Sequence, residues 1–212
     1  MNIALIGATG YVGAKLLEEA AARGHQVKAL VSRPEKVPAL AGVQAVQANA
    51  LDAQALAAQL AGADVVISAF SGHAQQDVYA YYLQGFDAIV AAAKAARVPR
   101  LLVVGGAGSL EVAPGVQLVD TPQFPEQWKA TAEGAREALR RLRAEPELNW
   151  TMLSPAAHLE PGSRTGKFRL GTDQLLADAE GNSRISVEDY AVAMLDEAER
   201  PAHPRSRFTV AY

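Results

Sequence analysis

The chain has 212 residues, half of them hydrophobic and 20% charged, with a formal net charge of -3 and no cysteine. That length can bury one substantial core. The charge leaves no electrostatic footprint for nucleic acid, and the missing cysteines remove disulfides, thiolate nucleophiles and cysteine-bound metals. The one dense basic stretch, "RRLR" at 140–143, reads as a solvated helix face.

In chain order, short apolar runs alternate with Ala-rich stretches. Strands are predicted at 3–6, 27–31, 43–48, 64–70, 100–106 and 149–154, and helices at about 11–23, 53–61, 75–97 and 125–145. Several runs are apolar at consecutive positions, as expected of strands covered on both faces of a parallel sheet. The punctuation agrees: Gly24 closes the first helix, Asp52 stands at an N-cap position, and Pro99 separates the helix of 75–97 from the next strand. No leader precedes the first run, which is too short for a signal segment or a membrane span, so a cytoplasmic protein with no membrane partner is expected.

Beyond Pro155 the rhythm changes. "PAAHLEPGSRTG" is a loop, "KFRL" (167–170) a short strand, "SVEDYAVAMLDEAER" a helix opened by a capping box from Ser186 to Asp189, and "RFTVAY" a closing strand. The expected fold is α/β, a doubly wound parallel sheet of Rossmann type. It forms one domain over 1–212, in which 155–212 is a small extension shaping a substrate pocket.

The motif that carries chemistry is "IGATGYVG". Gly7, Gly10 and Gly13 directly follow a strand and open a helix. In that setting the first glycine allows a tight turn, the second lets a pyrophosphate approach the backbone, and the third lets the helix pack close to the sheet. The free amides and positive dipole end of the helix then face phosphate, so Gly7, Ala8, Thr9, Gly10, Tyr11, Val12 and Gly13 are read as a cofactor-binding turn. After the second strand the chain offers "LVSRPEK", with no acid before Glu35. Ser32 and Arg33 suit a ribose 2′-phosphate, which favours NADP(H) and leaves NAD(H) open.

The G-x-x-G-x-x-G spacing, with "SRPEK", "DVVISAF", "VVGGAGS" and "NWTMLSPAA", resembles the atypical branch of the short-chain dehydrogenase/reductase superfamily. The chain looks like the NAD(P)H-binding proteins grouped with NmrA-like regulators, biliverdin reductase B and NADH-flavin reductases. That resemblance implies that Asn49, Ala50 and Leu51 pass the adenine. It also implies that Ala69, Phe70, Gly105 and Gly106 line the ribose and nicotinamide, and that Pro155 and Ala156 lead main-chain groups to the carboxamide.

Ordinary members of the superfamily exchange a proton through Tyr-x-x-x-Lys. No tyrosine occurs between Tyr82 and Tyr190, and the corresponding region reads "FPEQWKATAEGAREALR". Sugar-nucleotide epimerase or dehydratase chemistry is therefore disfavoured, and hydride transfer to a flavin, quinone or similar conjugated ring is preferred. Ser109, His73 and His158 are the candidate catalytic residues, with Phe70 and Trp128 for ring contact. The four histidines show no ligand spacing, so no metal is expected. A second reading stays open, a non-catalytic NmrA-like sensor of nicotinamide redox state. The oligomeric state is left undetermined.

Overall fold

The computed structural model describes residues 1–73 and 75–212. The first half runs β1 (Asn2–Ile6), α1 (Tyr11–Ala22), β2 (Gln26–Val31), β3 (Val43–Gln47), α2 (Ala53–Leu60), β4 (Val65–Ser68) and α3 (Val78–Ala95). Then come β5 (Leu101–Val104), a small hairpin of β6 (Glu111–Ala113) and β7 (Val116–Gln117), α4 (Glu126–Arg143) and β8 (Trp150–Ser154). The remainder holds β9 (His158–Glu160), β10 (Arg169–Gly171), β11 (Arg184–Ser186), α5 (Val187–Glu199) and β12 (Ser206–Ala211).

Eight strands form one sheet in the order β10-β12-β8-β5-β4-β1-β2-β3. Every neighbouring pair is parallel except β10 with β12. β1 lies between β2 and β4, so the strand order reverses there. In an open α/β sheet, this switch point is where a crevice forms beyond the carboxyl ends of the strands.

The consecutive apolar residues of each strand serve two cores. In β1, Ile3 and Leu5 face a core shared with α1 and α5, whereas Ala4 and Ile6 face one shared with α2, α3 and α4. β4 repeats this with Val65 and Ile67 on the first face and Val66 on the second. Alternate side chains point to opposite faces, so a strand covered by helices on both sides must be apolar throughout.

The caps show which local signals operate. Gly24 takes φ 78° after α1 and donates to Ala21 O at 2.9 Å, while His25 N reaches Ala20 O at 3.1 Å; this is a Schellman closure. Asp52 accepts from Ala55 N at 3.0 Å. Asp77 accepts from Ala80 N at 2.9 Å and starts α3 at Val78, three residues later than the predicted start. The basic stretch at 140–143 lies on α4, where Arg140 and Arg141 pair with Glu137 and Arg141 also reaches Asp87.

The capping box of α5 is corrected. Ser186 Oγ does accept from Asp189 N at 3.0 Å, but Asp189 does not return a bond to Ser186 N, which donates to Tyr212 Oη at 3.3 Å. Asp189 is fully buried and accepts from Thr165 N, Gly166 N and Tyr212 Oη, each at 2.8 Å. Its carboxylate therefore pins the loop before β10. Among the described residues no helix is long and apolar enough to cross a membrane.

Candidate functional site

The turn from β1 to α1 is built around Gly7. Its φ is 80°, its N donates to Leu30 O at 3.0 Å, and its carbonyl accepts from Gly10 N at 3.0 Å. A Cβ on Gly7 would fall 2.7 Å from Ala69 O, because the ends of β1 and β4 press together at the switch point. A Cβ on Gly13 would fall 2.0 Å from Gly7 O, so that position is closed by the protein's own packing. Gly10 differs: within 4 Å its Cβ would meet only Gly7 O, at 3.3 Å, and no side chain caps the helix that it opens. The chain's own packing thus explains two glycines and leaves the third facing open space, as a cradle for pyrophosphate requires. The residues present fit a dinucleotide.

A cleft of about 510 Å³ extends from this turn along the carboxyl ends of β1 to β4. Of the residues expected to hold cofactor, Gly7, Thr9, Gly10, Ser32, Asn49, Ala50, Ala69 and Phe70 line it. Asn49 Oδ1 accepts from Leu51 N at 3.0 Å, which turns the chain into α2 beside the cleft. The Phe70 ring packs over Gly85, where a Cβ would come within 2.2 Å of it, and lies 5.6 and 6.2 Å from the rings of Tyr81 and Tyr82. It is a braced wall.

Other expected residues stand outside this cleft. Ala8 is buried under the turn, and Val12 packs into the core shared with α1 and α5. Gly105 packs against Met152, 2.7 Å from where its Cβ would be, and Leu51 is half-buried outside the wall. Arg33 is exposed beyond Ser32 and makes no ion pair among the described residues. Tyr11 leaves the turn in the other direction, and its hydroxyl donates to Leu159 O at 3.3 Å.

Next to the cleft, beyond β5 and β8, lies a mainly apolar cavity of about 610 Å³. Gly106 and Pro155 to Ala157 form its inner end, and His158 to Glu160 one side. The opposite side comes from the segment before α4 and its first turns: Thr121, Gln123, Phe124, Trp128 and Thr131. Trp128 is half exposed, with its ring edge-on to His73 at 6.2 Å. Sequence reasoning named Gly106, Pro155, Ala156, Trp128 and His158 but missed Gln123, Phe124, Thr131 and Glu160. The readable signal was "TPQFPEQW", in which Pro122 and Pro125 hold Phe124 in a loop ahead of the helix that carries Trp128.

Two of the three catalytic candidates are displaced from this cavity. Ser109 is 4% exposed and does not line the cavity, and its hydroxyl accepts from Arg207 Nη1 at 3.3 Å. The buried guanidinium of Arg207 needs oxygen partners and takes Ser109, Ser154 and Asp173, which is why this serine turns inward. His73 touches Trp128 from outside the wall. His158 does line the cavity, with its Nδ1 3.9 Å from Glu160 Oε1.

Two tyrosines near the sheet's carboxyl edge are raised by burial. Tyr190 is wholly buried and donates to Leu153 O at 2.7 Å, and burial pushes its hydroxyl well above the ordinary value. Burial likewise raises Tyr82, enclosed by Phe70, Phe86 and the helix at Gly134. Among the described residues no group of His, Asp and Glu could hold a metal ion.

Residues 7–198 match the family described as NAD(P)H-binding. The chain belongs to that family. Among solved structures it is similar to a Burkholderia pseudomallei protein described as a candidate exported protein, at 47% identity over all of both chains and a TM-score of 0.91. A candidate epimerase from Bacteroides thetaiotaomicron is 43% identical, with all of this chain and 96% of that one covered and a TM-score of 0.93. SP1627 of Streptococcus pneumoniae, described as a candidate NADH-flavin reductase, is 32% identical over all of this chain and 99% of its own, with a TM-score of 0.89. The glycine turn and its cleft therefore belong to an NAD(P)H-binding protein.

Proposed function

We propose that this protein is an NAD(P)H-dependent reductase whose acceptor is a conjugated ring such as a flavin or quinone. The observation that carries this reading is the adjacency of two spaces along one sheet edge. The cleft at Gly7 and Gly10 ends at β4, and the apolar cavity begins at β5 and β8, its neighbours in the sheet. The likeness to the pneumococcal protein described as a flavin reductase supports it.

A bound dihydronicotinamide supplies two electrons and a hydrogen from its ring, and water supplies the proton that completes reduction of the acceptor. The chain's own work is placement. Gly10 and the first turn of α1 hold the pyrophosphate, Ser32 and Arg33 the ribose 2′-phosphate, and Asn49 and Ala50 the adenine side. Gly106, Pro155 and Ala156 present main-chain groups at the junction of the two spaces. Trp128 and Phe124 cover the acceptor, and their apolar faces exclude water from it. His158 and Glu160 stand exposed at the mouth, the side from which the proton from water enters. Ser109 acts at one remove, by fixing Arg207 under the loop after β5.

An epimerase must remove and return a proton or hydride at a saturated carbon, for which the superfamily uses a tyrosine beside a lysine. Tyr190 is wholly buried and Tyr82 half-buried, and both hydroxyls are raised, which favours the reductase. The test is oxidation of NADPH and NADH, followed spectroscopically, with a panel of flavins and quinones. Turnover with a ring acceptor is expected. A stable NADPH complex that reduces none of the panel would shift the assignment to a redox sensor of NmrA-like type.

A further inference from the structure

The wall of the acceptor cavity imposes a restriction on charge. Among the described residues, no lysine or arginine lines it. Its titratable side chains are His158 and Glu160, which stand 70% and 66% exposed at the mouth. A second carboxylate lies close by. Burial is the main influence raising the Tyr11 hydroxyl, and the charges of Glu188 and Glu160 add to it.

Cations on the flanking elements pair with carboxylates, Lys129 of α4 with the exposed Glu126 at 3.8 Å. Lys15 pairs with Glu18 and Glu188, Arg164 with Glu19, and Arg136 with Glu133 and Asp120. Arg184, beside His158 in the two-stranded sheet, lies over the Tyr212 ring. Two main-chain amides on the His158 side of this wall are taken up within the protein. Ala157 N donates to Ser183 Oγ at 3.1 Å and His158 N to Ser183 O at 2.9 Å. What remains is neutral: the Gln123 amide and the Thr131 hydroxyl line the space and make no side-chain hydrogen bond among the described residues.

We propose that this cavity selects its occupant by charge, admitting an uncharged conjugated ring whose carbonyls meet Gln123 and Thr131 and rejecting acceptors that bear phosphate or carboxylate groups. The inference rests on the reading that this cavity holds the acceptor. An anion entering an apolar wall loses hydration, meets no cation in return and is repelled by Glu160 at the mouth. A neutral ring forfeits none of this and gains the contact area of Phe124 and Trp128.

Riboflavin and FMN carry the same ring and differ by one phosphate, so they isolate the effect. Their affinities for the NADP-loaded protein are read from quenching of flavin fluorescence, alongside kcat/KM with NADPH; neutral menadione as competitor shows whether quinones share the site. Riboflavin is expected to bind about tenfold more tightly than FMN at low salt, and Glu160→Lys, at an exposed position, should bring the two within about threefold. Equal affinities in the parent protein, or an unchanged ratio in Glu160→Lys, would overturn charge selection while leaving the reductase reading in place. A preserved preference in binding without any NADPH oxidation would support charge selection and overturn the reductase reading. No binding of riboflavin, FMN or menadione would overturn both.

Discussion

Alanine at Gly10 and alanine at Gly13 add the same methyl group three residues apart and should give opposite results. At Gly13 the new Cβ would lie 2.0 Å from Gly7 O and 2.8 Å from Gly7 C, both backbone atoms, so the turn or the helix must move. Overpacking costs roughly 1–3 kcal/mol, at the upper end where backbone is the obstacle. Alanine recovers up to about 1 kcal/mol through helix propensity. A net loss of about 2 kcal/mol remains, which in a chain of this size lowers Tm by roughly 4–8 °C. At Gly10 the nearest atom is Gly7 O at 3.3 Å and φ is -79°, which suits any residue. Stability there should stay within about 1 kcal/mol of the parent, because alanine also restricts the unfolded chain.

Cofactor binding should follow the reverse order of severity. The Gly10 methyl would stand in the opening assigned to pyrophosphate, and losing one charge-assisted hydrogen bond, about 1.5–3 kcal/mol, weakens NADPH by roughly ten- to 150-fold. Gly10→Val should abolish binding with the fold intact. Thermal melts and titration calorimetry with NADPH read the two effects separately. Unchanged NADPH affinity in both Gly10 variants would refute the turn as the pyrophosphate cradle, and a Gly13→Ala protein as stable as the parent would refute the packing argument.

Arg33→Ala should weaken NADPH by about 1.5–3 kcal/mol and NADH by much less, since only NADPH carries the 2′-phosphate; equal losses in calorimetry would return Arg33 to a structural role. Tyr190→Phe should cost about 1 kcal/mol through the lost bond to Leu153 O, with NADPH turnover nearly unchanged. A rate lowered about a hundredfold would instead make Tyr190 the missing acid. Burial pushes the Asp189 carboxyl up, but hydrogen bonds from Thr165, Gly166 and Tyr212 outweigh it and hold the group below its ordinary value of 3.8. A depressed carboxyl contributes stability above its unfolded pKa and loses it as pH falls through the folded one. Melts of Asp189→Asn should therefore lie below the parent at pH 6, by about 1–3 kcal/mol, and converge with it below pH 4. A gap independent of pH would contradict this.

Much of the nucleotide half was readable because its determinants are local. A tight turn needs a positive φ at Gly7, a helix end needs Gly24, and a helix start needs Asp52; each constraint acts within a few residues. Strands buried on both faces announce themselves as unbroken apolar runs. The half that holds the apolar cavity was less legible. "TPQFPEQW" and "SPAAHLE" meet across the cavity although 26 positions separate Trp128 from Ser154, and neither pattern carries a period that names its partner. The pair β9 and β11 went unpredicted for a similar reason, since three-residue strands are defined by pairing rather than by propensity.

By itself, then, the sequence determined the order of the main strands and helices, the glycine turn and the absence of any tyrosine between 82 and 190, all properties of composition and short-range sterics. Only the tertiary structure decided what the long-range polar groups do. Ser109 sits one turn after a strand that reaches the candidate site, and nothing local distinguishes an active-site hydroxyl from a buried one. Arg207, 98 positions later, fixes the answer because a guanidinium that is 4% exposed must find oxygen partners. Asp189 likewise has the spacing of a capping-box acid, yet the fold brings Thr165 and Tyr212 to it. A fully buried carboxylate is held by the donors that enclose it, and those donors come from wherever the chain folds back.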